Sequence, residues 1–519
     1  MKKTIAYALF ALSSIFTYAQ DIPTTIVKSD IFKDEYKYSQ ITNVTEDGSG
    51  GVLVVRSYVG GLFSSARGYY FEHYDSKLKL IKEYEYELKY SDYEKQSSVL
   101  GVITDDTQVH MIDFLYNRNE KAYICSSLTA NIKDFNFTKK ELFRVKSDEI
   151  KQFTFAVTGA AFDSDSGASM IVNEDKNAFA VTVDIKDRLA ETHKLFLYDN
   201  KLNKKIDHTF KREIKDRKFR YENIDVSKDG NTLYLLGKVY TDEKKSKKDG
   251  GKYQFELTRV TNDSEQTQAF DTEEHYARSL KTIIFQDRLA CVGFYSDRKD
   301  NRYKGICYFE MDPTTLAVRK SKFNPFTEQF MIDKYGKDKD KELKNLSFRK
   351  MLIKKDGEIV LNAEEFYMTT QTTSTGNGGM TTRTIYHYDD IVSAKLNQSG
   401  DIVWARNINK RQQTAGDESY ISYTSTLKGN DTYFFINTGE KVKKLRNDRI
   451  QFGQTSTKRS NLNVIRVNEN GDFDYKEILD DKDNDVPFMV STGAIMTDEP
   501  SVYFMGRKGK KKQLLKVTL

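Results

Sequence analysis

The chain has 519 residues, with 82 Lys plus Arg against 76 Asp plus Glu, for a net charge of +6. So balanced a charge excludes a histone-like or ribosomal-tail protein, and 38% apolar with 13% aromatic residues excludes wholesale disorder. Three Cys cannot build a disulfide scaffold. The length exceeds one ordinary compact domain unless a repeat architecture absorbs it.

Residues 1–19 read as a secretory signal peptide. Lys2 and Lys3 are its basic start, Ile5 to Phe16 its apolar run, and Thr17-Tyr18-Ala19 its cleavage site. The apolar run is short for a membrane span, and no Cys stands at the cleavage position as a lipoprotein would need. No later run reaches the ~20 apolar residues of a spanning helix. Cleavage leaves residues 20–519 and lowers the net charge to +4. The expectation is an exported protein, periplasmic, outer-membrane-associated or secreted, with no transmembrane segment after cleavage.

A polar turn followed by a short apolar and aromatic strand then recurs. Val52 to Tyr58 follows Asp47-Gly48-Ser49, and Gln108 to Leu115 follows Asp105-Asp106. Asn177 to Ile185, Asn231 to Tyr240, Arg288 to Tyr295, Glu358 to Phe366, Asp431 to Asn437 and Ser501 to Gly506 repeat the pattern. Asp-Gly and its relatives between apolar runs signal hairpins, because their backbones accept positive φ. The repeat averages about 64 residues, and each unit also holds one strand upstream and two downstream. Four antiparallel strands, A to D, at this period predict propeller blades. The fold class is therefore all-β: a single eight-bladed β-propeller over 38–90, 97–145, 153–214, 219–272, 277–326, 345–410, 420–480 and 488–519. The last unit is one strand short, and residues 24–31 are expected to complete it. Seven blades plus an appendage is the rival reading.

Asn397-Gln-Ser-Gly-Asp-Ile-Val-Trp404 resembles the repeat of quinoprotein-type propellers, in which a turn ending Gly-x-x-x-Trp closes each blade. Asn468 to Tyr475 is a weaker copy. The architecture is similar to the propeller lipoprotein of the outer-membrane protein assembly machinery. The overall style, an Ala-Gln signal end and Tyr/Lys/Asn-rich blades, resembles exported Bacteroidetes propellers. The resemblance carries no residue-level function.

Charge is expected to divide the faces. In a propeller the A–B turns lie on one face and the B–C loops on the other. The A–B turns are acidic or neutral, whereas the loops 241–252, 296–304, 440–459 and 507–512 together carry +14, leaving −10 for the rest of the mature chain. Lys441, Lys443, Lys444, Arg446, Lys510, Lys511 and Lys512 mark a basic partner-binding face. The flank Arg383 to Asp390, with Arg383, Tyr386 and Tyr388, has the composition of a recognition rim beside a Gly/Thr-rich mobile loop, Thr369 to Thr382. Thr327 to Gly336 predicts a capped helix serving as a surface ornament.

No catalytic motif emerges. The six His are unpaired at metal-ligand spacing, and there is no Gly-x-Ser-x-Gly or phosphate loop. Asp481-x-Asp483-x-Asp485 fails the calcium-loop template, since Val486 replaces the turn Gly and Thr492 the final Glu. No cofactor is implied, and one Trp is too few for a quinone sandwich. Cys291 and Cys307 form either a cross-strand disulfide or two packed thiols. The functional expectation is a non-catalytic platform, a monomer within a complex, that docks an envelope protein or an anionic glycan or lipid surface through its basic loops. The alternative is a glycan-active or other enzyme with its site at the central channel. Nucleic acid is disfavoured by export and by loops that interleave few aromatics.

Overall fold

Strands begin where the turn residues end. A computed structural model describes residues 22–519 except 61–65, 89–97, 106, 152–166, 216–217, 242–252, 271, 273, 287, 298–301, 340, 376–378, 440–441, 448, 457–459 and 497–499. The signal segment therefore lies outside the described residues. The second strand of each repeat runs Val52–Val59, Gln108–Asn117, Ala178–Ile185, Leu233–Tyr240, Arg288–Ser296, Ile359–Thr375, Asp431–Thr438 and Ser501–Lys508. Glycines at φ +67° (Gly230), +82° (Gly357) and +59° (Gly429) stand in the turns before the fourth, sixth and seventh of these.

The described residues are mostly strand, with one α-helix, and six of their sheets are four-stranded and antiparallel, as in a β-propeller, while others carry additional strands. The innermost strands, in chain order, are Tyr38–Glu46, Ser98–Thr104, Ala168–Val172, Phe219–Val226, Tyr276–Phe285, Leu346–Ile353, Thr424–Lys428 and Ala494–Met496. They define sheets 1 to 8. Sheet 8 takes its fourth strand from Thr25–Lys28, which pairs with Lys511–Thr518.

Burial explains the apolar second strands. Val54, Met111, Val181, Leu235, Val292, Leu361, Phe434 and Phe504 are all out of solvent. A middle strand covered on both faces needs a continuous apolar run rather than alternation. Eight apolar clusters result, and each lies between two successive sheets. One spans sheets 1 and 2 through Val55, Phe71, Met111 and Leu128. Another spans sheets 8 and 1 through Met505, Leu514, Val54 and Tyr74.

Trp404 shows how adjacent sheets lock. It lies on the fourth strand of sheet 6, and its indole N–H donates to the Glu469 carbonyl at 2.9 Å in the last turn of sheet 7. Its ring covers Gly471, where an added Cβ would meet the ring at 2.8 Å and where φ is +88°. Between sheets 5 and 6 the same task falls to Tyr308, whose ring leaves no room for a Cβ at Gly400, and to Arg288, whose guanidinium donates to the Gln398 and Gly357 carbonyls. The Trp repeat is thus one of several interlocks, which is why other units lack it.

Two local expectations are corrected, and the choice left open for Cys291 and Cys307 is decided. The Thr-rich segment expected to be a mobile loop continues both strands of a long ribbon, Ile359–Thr375 and Gly379–Leu396, because β-branched Thr favours extended backbone. The helix Glu328–Tyr335 has its expected caps, with the Phe330 N–H donating to Thr327 Oγ1 at 3.2 Å and Gly336 at φ +75°. It is no ornament, however: Phe330 is fully buried, and Asp333 accepts from Arg406 Nε at 2.6 Å. Cys291 pairs with Phe309 and Gly293 with Cys307, so the two Cys sit diagonally rather than opposite. All three Cys are free thiols, and burial pushes Cys291 up to about 12.

Candidate functional site in the central cavity

The inner strands expose one edge and a row of side chains to the space they surround. A bulge interrupts several of them at a similar place, between Ile41 and Asn43, Val99 and Gly101, Tyr221 and Asn223, and Phe348 and Lys350. A bulge places two residues opposite one and re-aims their side chains. In sheet 6 the bulged residue Arg349 and its neighbour Lys350 border the same space, as do the residues that follow them to Lys355.

That space is a cavity of about 880 Å³, framed by the inner strands of sheets 3 to 8. It reaches the turns between first and second strands at Glu174, Lys176, Lys355, Gly429 and Pro500. Its charge is one-sided. Lys176, Lys281 and Lys428 come from sheets 3, 5 and 7, and Arg349, Lys350, Lys354 and Lys355 from sheet 6. Only Glu174 and Asp225 oppose them. Lys354 is committed to Glu358 at 2.5 Å. Lys281, Lys350 and Lys428 make no ion pair among the described residues. Burial, reinforced by Lys176, pulls the Lys350 ammonium down to about 8, against the opposing influence of Glu174.

A second chamber of about 400 Å³ shares Arg349, Lys350 and Ile495 with the first. Here Arg349 holds Glu364 Oε2 at 2.7 Å and lies over the Tyr388 ring at 5.2 Å. The Tyr388 hydroxyl donates to Glu418. Ser422 donates to Glu364 Oε2 at 2.7 Å, and Thr424 to the Val490 carbonyl at 2.6 Å. The pair of chambers offers cations above and a polar, ordered wall below.

The residues expected at a partner-binding face are not brought together. Tyr388 alone enters the cavity system; Tyr386 and Arg383 lie further out on the ribbon. Lys441 lies outside the described residues. Lys443, Lys444 and Arg446 are exposed on a small hairpin whose Arg449 donates to the Lys334 carbonyl at 2.9 Å, at the end of the helix. Lys510 and Lys511 are exposed, but Lys512 is wholly buried. Its ammonium donates to the Lys37 carbonyl at 2.8 Å and lies 3.8 Å from Asp34. Arg507 is also buried, against Asp417 and Tyr420. The cavity cations were missed because they come from four different sheets; only the Arg349-Lys350 and Lys354-Lys355 doublets hint at them in sequence.

No family model matches the chain, and no curated protein matches its sequence. Among solved structures it is similar to the β-propeller domain of the trilobed protease from Pyrococcus furiosus, at 11% identity and TM-score 0.37, covering 87% of this chain and 98% of that one. It is also similar to the acylaminoacyl peptidase of Pyrococcus horikoshii, at 11% identity and TM-score 0.35, covering 80% and 52%. Prolyl oligopeptidase B from Galerina marginata follows at 10% and TM-score 0.37, covering 91% and 55%. The chain spans about half the length of these last two. The reading as a non-catalytic envelope platform with a basic docking face, and its glycan-active alternative, are corrected here. Two of the cations counted to that face, Arg507 and Lys512, are consumed inside the fold.

Proposed function

We propose that the chain is an exported, closed ring of eight blades whose central cavity binds a small anionic ligand. The observation that carries the binding reading is the excess of seven cationic side chains over two carboxylates around a single cavity. Low-dielectric walls strengthen such a field and concentrate anions within it. Closure is supported by the apolar cluster that joins sheets 8 and 1 and by the pairing of Thr25–Lys28 with the last strand. Export rests on the character of residues 1–19, and sequencing the mature N-terminus checks it; retention of Met1 sinks it.

Calorimetric titration with citrate and with inorganic phosphate tests the cavity. Replacing Lys281, Lys350 and Lys428 together by Gln weakens binding by about a hundredfold, on the order of 1 kcal/mol per lost charge. Replacing exposed Lys443, Lys444 and Lys510 by Gln leaves it unchanged. Equal affinity in the wild type and the cavity variant overturns the reading.

Binding also takes up protons. Lys350 is half-neutral near pH 8, and an adjacent anion favours its charged form. At pH 8 each binding event therefore takes up as much as about half a proton, and affinity falls as pH rises through 8. Titrations in buffers of differing ionisation enthalpy measure this, and Lys350→Arg abolishes it. Proton uptake persisting in Lys350→Arg assigns it elsewhere.

A further inference from the structure

Buried carboxylates in this fold are matched by cations. Asp34 and Glu72 meet Arg56, Glu364 meets Arg349 and Lys410, and Asp333 meets Arg406. The half-buried Asp225 departs from this pattern, as does Asp389, whose Oδ1 also lacks a partner. Asp225 stands on the inner strand of sheet 4 and lines the large cavity. Its Oδ2 is out of reach of solvent and has no hydrogen-bond partner. No ammonium or guanidinium lies within ion-pair distance of it among the described residues; Lys281 of sheet 5 is the cation that acts on it from further away.

The strand beside it is held firmly. Asn223 Nδ2 donates to the Leu280 carbonyl at 2.9 Å, and Thr282 Oγ1 donates to Asn223 Oδ1 at 3.0 Å. These bonds hold the strand that carries Asp225 against its neighbour in sheet 5. Burial pushes the Asp225 carboxyl up to about 6, with Lys281 and Thr282 opposing the rise. An enclosed carboxylate left without a counter-cation is costly, and natural folds seldom keep one without use.

We propose that Asp225 is an ammonium-recognition subsite within the cationic cavity, so that the ligand carries a primary ammonium together with anionic groups, as in an acidic amino acid or a short acidic peptide. The inference rests on the anion-binding reading of the same cavity. The ammonium supplies Asp225 with the missing charge partner, while Lys281, Lys350 and Lys428 receive the ligand's carboxylates. An anion without an amine leaves Asp225 uncompensated and meets its repulsion as well. The about 880 Å³ available falls within the range of small-ligand sites. It exceeds the needs of one amino acid and admits two or three residues.

The test compares glutamate, triglutamate, N-acetyl-triglutamate and citrate by calorimetry, on the wild type and on near-isosteric Asp225→Asn. Acetylation removes the ammonium and leaves the carboxylates. The expected result is a loss of about tenfold or more on acetylation in the wild type, as a charge-assisted contact requires. In Asp225→Asn acetylation costs less than about twofold, since its carboxylate is gone. Glutamate binding as tightly as triglutamate assigns the site to free amino acids, and a gain with length assigns it to peptides. Citrate binding accompanied by equal affinity for free and acetylated triglutamate overturns the Asp225 subsite alone. Failure of every probe, citrate included, overturns the anion-binding reading and the subsite with it. The wild-type comparison requires no variant, so a folding defect in Asp225→Asn cannot mask the outcome.

Discussion

Replacing Arg56 with Ala lowers stability by about 3–5 kcal/mol, because it strands two buried carboxylates. Arg56 is fully buried on the second strand of sheet 1. Its Nε donates to Glu72 Oε2 at 2.8 Å, and its Nη1 and Nη2 reach Asp34 at 2.7 and 3.1 Å. Its guanidinium is sandwiched by Phe32 at 5.0 Å and Tyr70 at 4.8 Å. Glu72 is as deeply buried as Arg56 and Asp34 nearly so, leaving water no route to compensate them. Among the described residues only Lys512, 3.8 Å from Asp34, offers a substitute charge, and burial pulls that ammonium down to about 8. The urea midpoint measures the loss. A triple variant, Arg56→Met with Asp34→Asn and Glu72→Gln, removes all three charges and recovers much of it, since no uncompensated charge remains. A loss under about 1 kcal/mol for Arg56→Ala, the size expected of a surface pair, would falsify the account of this cluster as a buried, mutually dependent one.

The second large effect comes from removing residues 22–33. This segment supplies Thr25–Lys28 to sheet 8, and Phe32–Lys33 pair with Lys512 and Lys511. Ile22 joins Phe488, Val502 and Leu515 in the cluster between sheets 7 and 8. Phe32 and Val27 pack on the cluster between sheets 8 and 1. Deleting these apolar contacts costs on the order of 5 kcal/mol. The deletion also leaves Lys511–Thr518 with an unpaired edge, and an open apolar edge invites pairing between chains. The expected result is a lower unfolding temperature together with oligomers in light scattering. A peptide of residues 20–37 added in trans reverses both. An unchanged unfolding temperature in a monomeric truncation would show that the segment does not hold sheet 8 together.

Both effects arise where the chain's two ends meet, and both depend on the same acidic residue. Asp34 follows the clasping strands in sequence, and it also accepts from Ser39 Oγ at 2.7 Å. Pairing of the end strands thus carries Asp34 to Arg56, and the ion pair in turn anchors the strands. The two predictions are coupled. Arg56→Ala in the truncated chain costs less than in the full chain, because Asp34 loses its fixed position when the strands that seat it are gone.

Much of the strand layout was legible from local chemistry. The turns before Val52 and Asp431 and the long apolar runs behind them announced strands that begin where expected. Thr327 and Gly336 announced both helix ends, since capping needs only a hydroxyl and an αL residue at the right spacing. Such signals depend on neighbours a few positions away and survive in one dimension. The Thr-rich ribbon was misread because low complexity was given more weight than the β-branching of Thr.

The site was not legible in that way. Lys281, Lys350, Lys428 and Asp225 lie on separate strands, and each looks like an ordinary strand polar residue. The Arg349 bulge follows from strand register and leaves no local mark. The basic run 507–512 shows the converse error. Arg507, Lys508, Lys511 and Lys512 are paired strand residues, and two of these cations point into the fold. By itself the sequence determined the strands, their turns, the helix caps and the repeat, because turn chemistry and apolar runs act over a few residues. Only the tertiary structure decided which charges face water, which are neutralised in pairs and which surround the cavity. Charge environment depends on distance and burial in space, and chain-distant residues such as Asp34, Arg56 and Lys512 become neighbours only once the sheets have assembled.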